Sequence, residues 1–202
     1  MHKEFGSCGD KAEISLQAGA AQNETVGIEG AYYVECRDAD GNLKWTEEFP
    51  NLVNAIGKQL MLDTLLRTSG TYTTTGPYLG LIGTTSPTFA ASDTMTSHSG
   101  WTEFTAYTVS SSAVRGTAVF AASSSSGLTP SNVTTSTATA ITYTITGAGG
   151  NVTGCFLCTG SGAVSTLSST AGTLYSAGAF GTAKAVTAGD TVSVTYSTTA
   201  TS

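Results

Sequence analysis

The stretch that decides the fold class is Thr137-Ala-Thr-Ala-Ile-Thr-Tyr-Thr-Ile-Thr146. Its large apolar side chains fall on every second residue, at Ile141, Tyr143 and Ile145, and threonines occupy the positions between them. Successive side chains of a β-strand point to opposite faces of its sheet. The alternation therefore predicts a strand with one buried face and one exposed face.

Similar segments recur from Tyr78 onward. They are short and apolar, they are separated by turn residues, and no helical segment lies between them, which is typical of an antiparallel sandwich or barrel. A long loop, Thr84 to Gly100, interrupts the series. We expect strands at Tyr78–Ile82, Trp101–Val109, Val114–Ala122, Val152–Cys158, Gly172–Phe180, Lys184–Val186 and Thr191–Tyr196, the last with Val192, Val194 and Tyr196 inward.

Upstream, two extended segments flank a cluster of turn residues. The segments are Val26–Arg37 and Leu43–Phe49, and the cluster between them is Asp38-Ala-Asp-Gly-Asn42. Apolar runs on either side of Asp, Gly and Asn predict a β-hairpin.

The same turn raises the question of calcium, because Asp38, Asp40 and Asn42 alternate as in the first half of an EF-hand loop. An EF-hand requires glycine at its sixth position and a bidentate glutamate at its twelfth, and this chain has Leu43 and Phe49 there. We therefore expect hydrogen bonds within the turn rather than a metal site.

One helix is predicted, near residues 52–66. It follows Pro50, with Asn51 or Asn54 as its N-cap, and ends near Arg67. Its apolar residues recur at helical spacing, at Ile56, Leu60, Met61 and Leu65. Such a stripe has to pack on something, so we expect the helix to lie on one face or edge of a sheet.

The predicted domain organisation is an N-terminal arm over residues 1–25 and a single β-sandwich domain, including the helix, over 26–202. The arm carries isolated apolar residues, among them Phe5, Ile14 and Leu16, without helical or strand periodicity. It cannot bury enough surface to order itself but can lie along a neighbour. We therefore expect the arm to be an assembly element.

Charge is distributed very unevenly. The chain of 202 residues has 22 charged side chains, and only five follow Arg67, namely Asp93, Glu103, Arg115, Lys184 and Asp190. A surface of small hydroxylated residues packs against neighbouring copies at little desolvation cost, which favours an assembly component. A net charge of -6 without a basic cluster argues against nucleic-acid or anionic-membrane binding. Without a long apolar run or a signal sequence, synthesis in a cytoplasm is expected.

Residues that could carry chemistry are few. His98 and Asp93 lie in one loop rich in Gly, Ser and Thr, without a nucleophile elbow around any serine, so we interpret His98 as a solvated or interface residue. Cys155 and Cys158 form a C-x-x-C, but residues three apart on a strand face opposite sides, which favours packed core thiols over a zinc or redox pair. No catalytic, cofactor-binding or metal-binding residues are predicted. Cys8 and Cys36 are likewise expected to be reduced.

Arg115 is a lone cation among apolar and hydroxylated residues. It has to find a carboxylate, a set of carbonyls or an aromatic face. Glu103, or an acid on a neighbouring copy, is the expected partner.

Seven blocks of the chain follow one another in a characteristic order: Asn51–Val53, Leu60–Leu66, Tyr78–Ile82, Asp93–Tyr107, Gly154–Leu157, Gly172–Gly178 and Gly189–Tyr196. In this order they resemble a family of small virion structural proteins of tailed bacteriophages. The resemblance runs from about Tyr32 to Tyr196, and it implies a jelly-roll-like or similar β-sandwich of the kind used by capsid cement proteins, with no catalytic residues. After Arg115 the family pattern has a bulky segment that contains an aromatic residue, where this chain has Gly116-Thr-Ala118.

The function expected from these observations is that of a non-enzymatic cement or decoration protein. It would be made in the host bacterial cytoplasm and bind the outer capsid surface of the virion. Its partners would be the major capsid protein and other copies of itself, as a homodimer or homotrimer. The alternative is a tail-fibre or head-fibre component, an adhesin in which Trp101, Tyr107 and Tyr143 stack on a host surface glycan.

Overall fold

The computed structural model describes residues 27–66, 75–121, 131–133 and 140–201. The predicted arm, residues 1–25, lies outside the described residues. Within them the chain is mainly β, with one α-helix, α1 (Ala55–Leu66). The strands are β1 (Gly27–Arg37), β2 (Leu43–Pro50), β3 (Leu52–Val53), β4 (Tyr78–Ile82), β5 (Glu103–Phe104), β6 (Tyr107–Thr108), β7 (Gly116–Thr117), β8 (Ser131–Val133), β9 (Ile141–Ile145), β10 (Gly150–Thr159), β11 (Thr173–Val186) and β12 (Thr191–Thr201).

The strands form two antiparallel sheets. In the first sheet the order is β2-β1-β12-β9-β6, and β8 also pairs with β12. In the second sheet the order is β3-β11-β10-β4-β5, and β7 also pairs with β4. The prediction of a mainly β, antiparallel sandwich with one helix is confirmed, as is the hairpin of β1 and β2. The jelly-roll order of connections stays a prediction.

The core between the sheets follows the alternation of the sequence. Ile141, Tyr143 and Ile145 are buried, whereas Thr142 and Thr144 are exposed. The inward residues of β12, Val192, Val194 and Tyr196, are fully buried, as predicted. Their partners across the antiparallel pair with β1 are Cys36, Val34 and Tyr32, which pack in the same core cluster.

The second sheet is covered on both faces. Side chains on both faces of β10 are therefore buried, so its sequence is apolar without alternation. Cys155 and Leu157 belong to the core between the sheets, whereas Phe156 and Cys158 belong to a second cluster that contains Trp101. Met95, from the predicted loop Thr84–Gly100, packs in that second cluster. The loop thus shields the outer face of the second sheet from water.

Four strand predictions were wrong in their extent. The segment predicted as one strand from Trp101 contains β5, which pairs with β4, and β6, which pairs with β9, because the chain crosses from one sheet to the other between them. Within the strand predicted over Val114–Ala122, the structure shows the two-residue strand β7, which pairs with β4, and an isolated bridge from Val114 to Thr166. The two strands predicted over Gly172–Val186 are one strand, β11, whose pairing with β10 continues through a shift in register.

The helix begins later than predicted. Leu52 and Val53 pair with β11 as strand β3, so α1 begins at Ala55. Asn54 precedes it, but the side-chain amide of Asn54 donates to the carbonyls of Ala90 and Asp93 and so fastens the start of α1 to the long loop. Among the described residues, no helix has the length and apolar character that spanning a membrane requires.

Candidate functional site

Each of the five charged residues that follow Arg67 makes a polar contact inside the fold. Glu103 and Arg115 pair with each other, Lys184 pairs with Glu47, and Asp190 pairs with Lys44. The carboxylate of Asp93 accepts a hydrogen bond from the backbone N–H of Ala90. These charges stabilise the structure, and they do not converge on a common cleft.

The pair of Arg115 and Glu103 is the most deeply buried of these contacts. Nε and Nη2 of Arg115 donate to the two carboxylate oxygens of Glu103 at 2.9 and 2.8 Å, which confirms the predicted partner. Nη2 also donates to the carbonyl of Ser169 at 2.7 Å, and the guanidinium lies 5.1 Å from the centre of the Phe156 ring. Burial opposes the charge of Arg115, but the hydrogen bonds and the charge of Glu103 outweigh burial, so its pKa is raised.

A cavity of about 240 Å³ adjoins this ion pair. His98, Trp101 and Ser168 contribute to its wall. The ring of His98 stacks on Trp101 at 3.9 Å between centroids, and Nδ1 of His98 lies 3.1 Å from the carbonyl oxygen of Trp101. His98 is half-buried and packs on Trp101 in the wall of this cavity, and its interpretation as a solvated or interface residue stays a prediction.

The three cysteines in the described ranges are buried free thiols. Cys155 and Cys158 face opposite sides of the second sheet, as their spacing predicts. Burial raises the pKa of both thiols, and it raises the pKa of Cys36 to about 11. A thiol in this state is a poor nucleophile and a poor metal ligand.

The turn between β1 and β2 is held by its own hydrogen bonds, as expected. Oδ1 of Asp38 accepts from the backbone N–H groups of Asp40 and Asn42, and Oδ2 accepts from the side chain of Asn42. Gly41 takes the left-handed conformation that the turn requires, with φ of 87°. Within the described ranges, no three His, Cys, Asp or Glu side chains are grouped so that they could hold a metal ion.

The aromatic residues considered for glycan stacking lie inside the fold. Trp101, Tyr107 and Tyr143 are exposed by only 2%, 1% and 0%. The hydroxyl of Tyr143 donates to the carbonyl of Leu79 at 2.7 Å, in the core. That role for these three side chains was therefore wrong, since a sugar has no access to their faces.

An apolar groove with a volume of about 510 Å³ lies at one end of the sandwich. It lies where the two sheets part, between β10 and β11 on one side and β12 on the other, and α1 forms one wall. The polar groups in its walls are hydroxyls, and no Asp, Glu, Lys, Arg or His of the described ranges lines it. The lining residues, which define the apolar groove below, are Leu60, Met61, Thr64, Leu65, Pro77, Phe120, Leu157, Thr159, Tyr175, Tyr196 and Thr198.

The tyrosines of the groove are fixed by contacts with its walls. The hydroxyl of Tyr175 donates to Sδ of Met61 at 3.3 Å, and the ring of Phe120 meets Tyr196 edge-on at 6.0 Å. The side-chain amide of Asn51 donates to the hydroxyl of Tyr196 at 2.9 Å. Burial, with a contribution from the nearby Tyr175, raises the pKa of Tyr196 to about 12, so the groove stays uncharged at neutral pH.

Helix α1 presents apolar side chains to solvent, although its stripe was predicted to be packed. Only Gly57 of the helix is buried, and a Cβ atom at that position would lie 2.7 Å from the carbonyl oxygen of Tyr175. The helix backbone therefore contacts β11 directly, as expected for a helix on a sheet. Leu62, Leu65 and Leu66 are nevertheless 59%, 80% and 69% exposed.

Sequence reasoning identified Arg115 and its partner but missed the groove. The only local signal was the unusual density of apolar residues in the second half of α1.

Searches against protein-family models, curated proteins and solved structures gave no match.

Proposed function

We propose that this chain is a non-enzymatic structural protein of a tailed-phage virion, a cement or decoration protein that binds the outer capsid surface and stabilises capsomer contacts. In this role it associates with the major capsid protein and with other copies of itself. The observation that carries the proposal is the apolar groove together with the exposed leucines of α1.

Exposed apolar surface of this kind marks an interaction site. Monomeric proteins rarely expose contiguous apolar patches, because each leucine side chain left in water forgoes about 1.5–3 kcal/mol of burial free energy. Here Leu65 borders the groove, and Leu62 and Leu66 continue the apolar surface along the helix. A partner that covers the groove and the helix gains that free energy without having to desolvate an ion.

The charged residues support the non-enzymatic part of the proposal. Four of the five charged residues that follow Arg67 are in ion pairs, including the buried carboxylates Glu103 and Asp190. The fifth, Asp93, accepts a backbone hydrogen bond. An acid, base or nucleophile needs a free polar atom facing a cleft. The polar groups that line the apolar groove are hydroxyls, and the charged groups Glu103 and Arg115 of the smaller cavity are already paired with each other.

Immunogold labelling of intact particles of the phage that encodes the chain tests the proposal. Antibodies raised against the purified protein should decorate the whole head surface, in many copies per particle. Label confined to fibres or the tail tip would favour the adhesin alternative. Particles that contain no detectable copy by mass spectrometry would exclude a structural role in the virion.

A further inference from the structure

The apolar groove lies at the end of the sandwich where the described chain starts. Tyr196 and Thr198, which line the groove, pair with Tyr32 and Gly30 of β1. Strand β1 begins at Gly27, three residues before Gly30, which is about 10 Å at the rise of an antiparallel strand. The residues that precede β1 are therefore attached at the mouth of the groove.

These preceding residues carry side chains that suit an apolar groove. Phe5, Ile14 and Leu16 are separated by small and polar residues, so each can act as an isolated anchor. A groove of about 510 Å³ lies in the size range of pockets that enclose a ligand of several side chains' volume, about 300–1,000 Å³. Among the described residues, no charged group lines the groove to attract the acidic residues of the segment, so the apolar anchors suit it better.

We propose that the apolar groove receives the segment Phe5–Leu16 of a second copy of this chain. This inference rests on the proposed function, because a protein that links neighbours needs a contact that each copy both gives and receives. Strand β1 runs inward from the groove end of the sandwich, so the segment is attached at the end where the groove lies. Exchange of such segments binds copies together through an interface that is the same at every site.

Native Cys8 makes this contact testable with one substitution in the full-length chain. Cys8 lies within the docking segment, and Leu65 lies at the groove and is 80% exposed, so Leu65→Cys leaves the core intact. After mild oxidation, we expect this variant to form a disulfide-linked dimer on a non-reducing gel. The buried thiols Cys36, Cys155 and Cys158 do not compete.

Matched variants make the result specific. Leu43→Cys places a thiol at another exposed leucine, at the hairpin end of β2, and should give at least several-fold less dimer. Adding Cys8→Ser to Leu65→Cys should abolish the dimer. Adding Phe5→Ser and Ile14→Ser to Leu65→Cys, with Cys8 kept, should reduce the yield of dimer several-fold, because these two apolar side chains hold the segment in the groove.

Other outcomes overturn the inference. Equal dimer from the Leu65→Cys and Leu43→Cys variants would show random collision, and no dimer would show that the segment does not reach the groove. A disulfide within one chain, seen as a faster-migrating monomer, would show that the segment does not come from a second copy. Each of these results leaves the labelling of particles to decide the proposed function separately.

Discussion

The guanidinium of Arg115 and the carboxylate of Glu103 lie side by side, with Nε 2.9 Å from Oε1 and Nη2 2.8 Å from Oε2. Oε2 of Glu103 also accepts from the backbone N–H of Ser168 at 2.7 Å, and Arg115 donates to the carbonyl of Ser169. The pair thus joins β5, the segment before β7 and the loop before β11. The side chains of Arg115 and Glu103 are only 1% and 7% exposed, so the loss of either one leaves the other buried without its counter-charge.

We predict that Glu103→Ala destabilises the protein by about 3–5 kcal/mol, because a buried guanidinium loses its counter-charge. Urea unfolding of the two proteins measures the difference. Glu35→Ala, which removes the partner of the exposed Arg37, should cost no more than about 1 kcal/mol. Similar losses for the two variants would contradict the structural role assigned to the buried pair.

Acid should weaken the fold partly through Asp190. Burial opposes ionisation of this carboxyl, but the hydrogen bonds from Lys44 and from the backbone of Thr187 outweigh burial, and its pKa is lowered. A carboxyl whose pKa is lower in the folded chain than in the unfolded chain stabilises the fold. This stabilisation is fully present at pH values above the pKa of the unfolded chain, which is about 3.9. That contribution disappears as the pH falls from there through the folded pKa.

Asp190→Asn should therefore show a smaller loss of unfolding free energy than the parent protein when urea titrations are compared from pH 6 down to pH 3. Lys44→Met should change the profile in the same direction, because it removes a group that holds the pKa of Asp190 down. Profiles of the variants that run parallel to the parent profile would argue against this assignment.

The local sequence predicted the elements whose signal is periodic, and it missed the elements that depend on distant pairing. The alternation of β9 and the inward face of β12 were right because each strand carries its own pattern. Leu52 and Val53 were predicted to start the helix, because nothing in the local sequence indicates that they pair with β11. Likewise, the groove forms only when β10, β11, β12 and α1 meet, which no single segment encodes.

The packing around Gly116, the residue after Arg115, leaves no room for a side chain. A Cβ atom on Gly116 would lie 2.0 Å from Cγ2 of Ile141 and 3.2 Å from the hydroxyl of Tyr143. Gly116→Ala should therefore destabilise the protein by about 1–3 kcal/mol through overpacking. Thermal and urea unfolding measure the loss. Thr117→Ala, at the neighbouring exposed position, should have little effect, and equal results for the two would indicate that the core adapts freely.

The buried thiols should resist alkylation. In the folded protein, iodoacetamide should modify Cys36, Cys155 and Cys158 many-fold more slowly than in urea, because burial both hides the sulfur and raises its pKa. Peptide mass spectrometry reads each site separately. Fast labelling of Cys155 in the native protein would show that the core between the sheets opens readily.

Leu65 should matter for association and hardly at all for folding. It is 80% exposed, and glutamine is nearly as good a helix former as leucine, so Leu65→Gln should change the free energy of unfolding of the isolated chain by no more than about 0.5 kcal/mol. In the proposed contact between copies the leucine is covered, and its removal forfeits about 1.5–3 kcal/mol. The dissociation constant for self-association should therefore rise about tenfold or more.

Sedimentation velocity over a dilution series measures that constant. Leu43→Gln is the matched control, because Leu43 is also an exposed leucine, at 54%, but lies on the hairpin away from the groove. It should associate like the parent protein. If both variants associate as the parent does, the groove is not the contact between copies, whereas an equal loss in both would mean that association follows general surface hydrophobicity rather than this site.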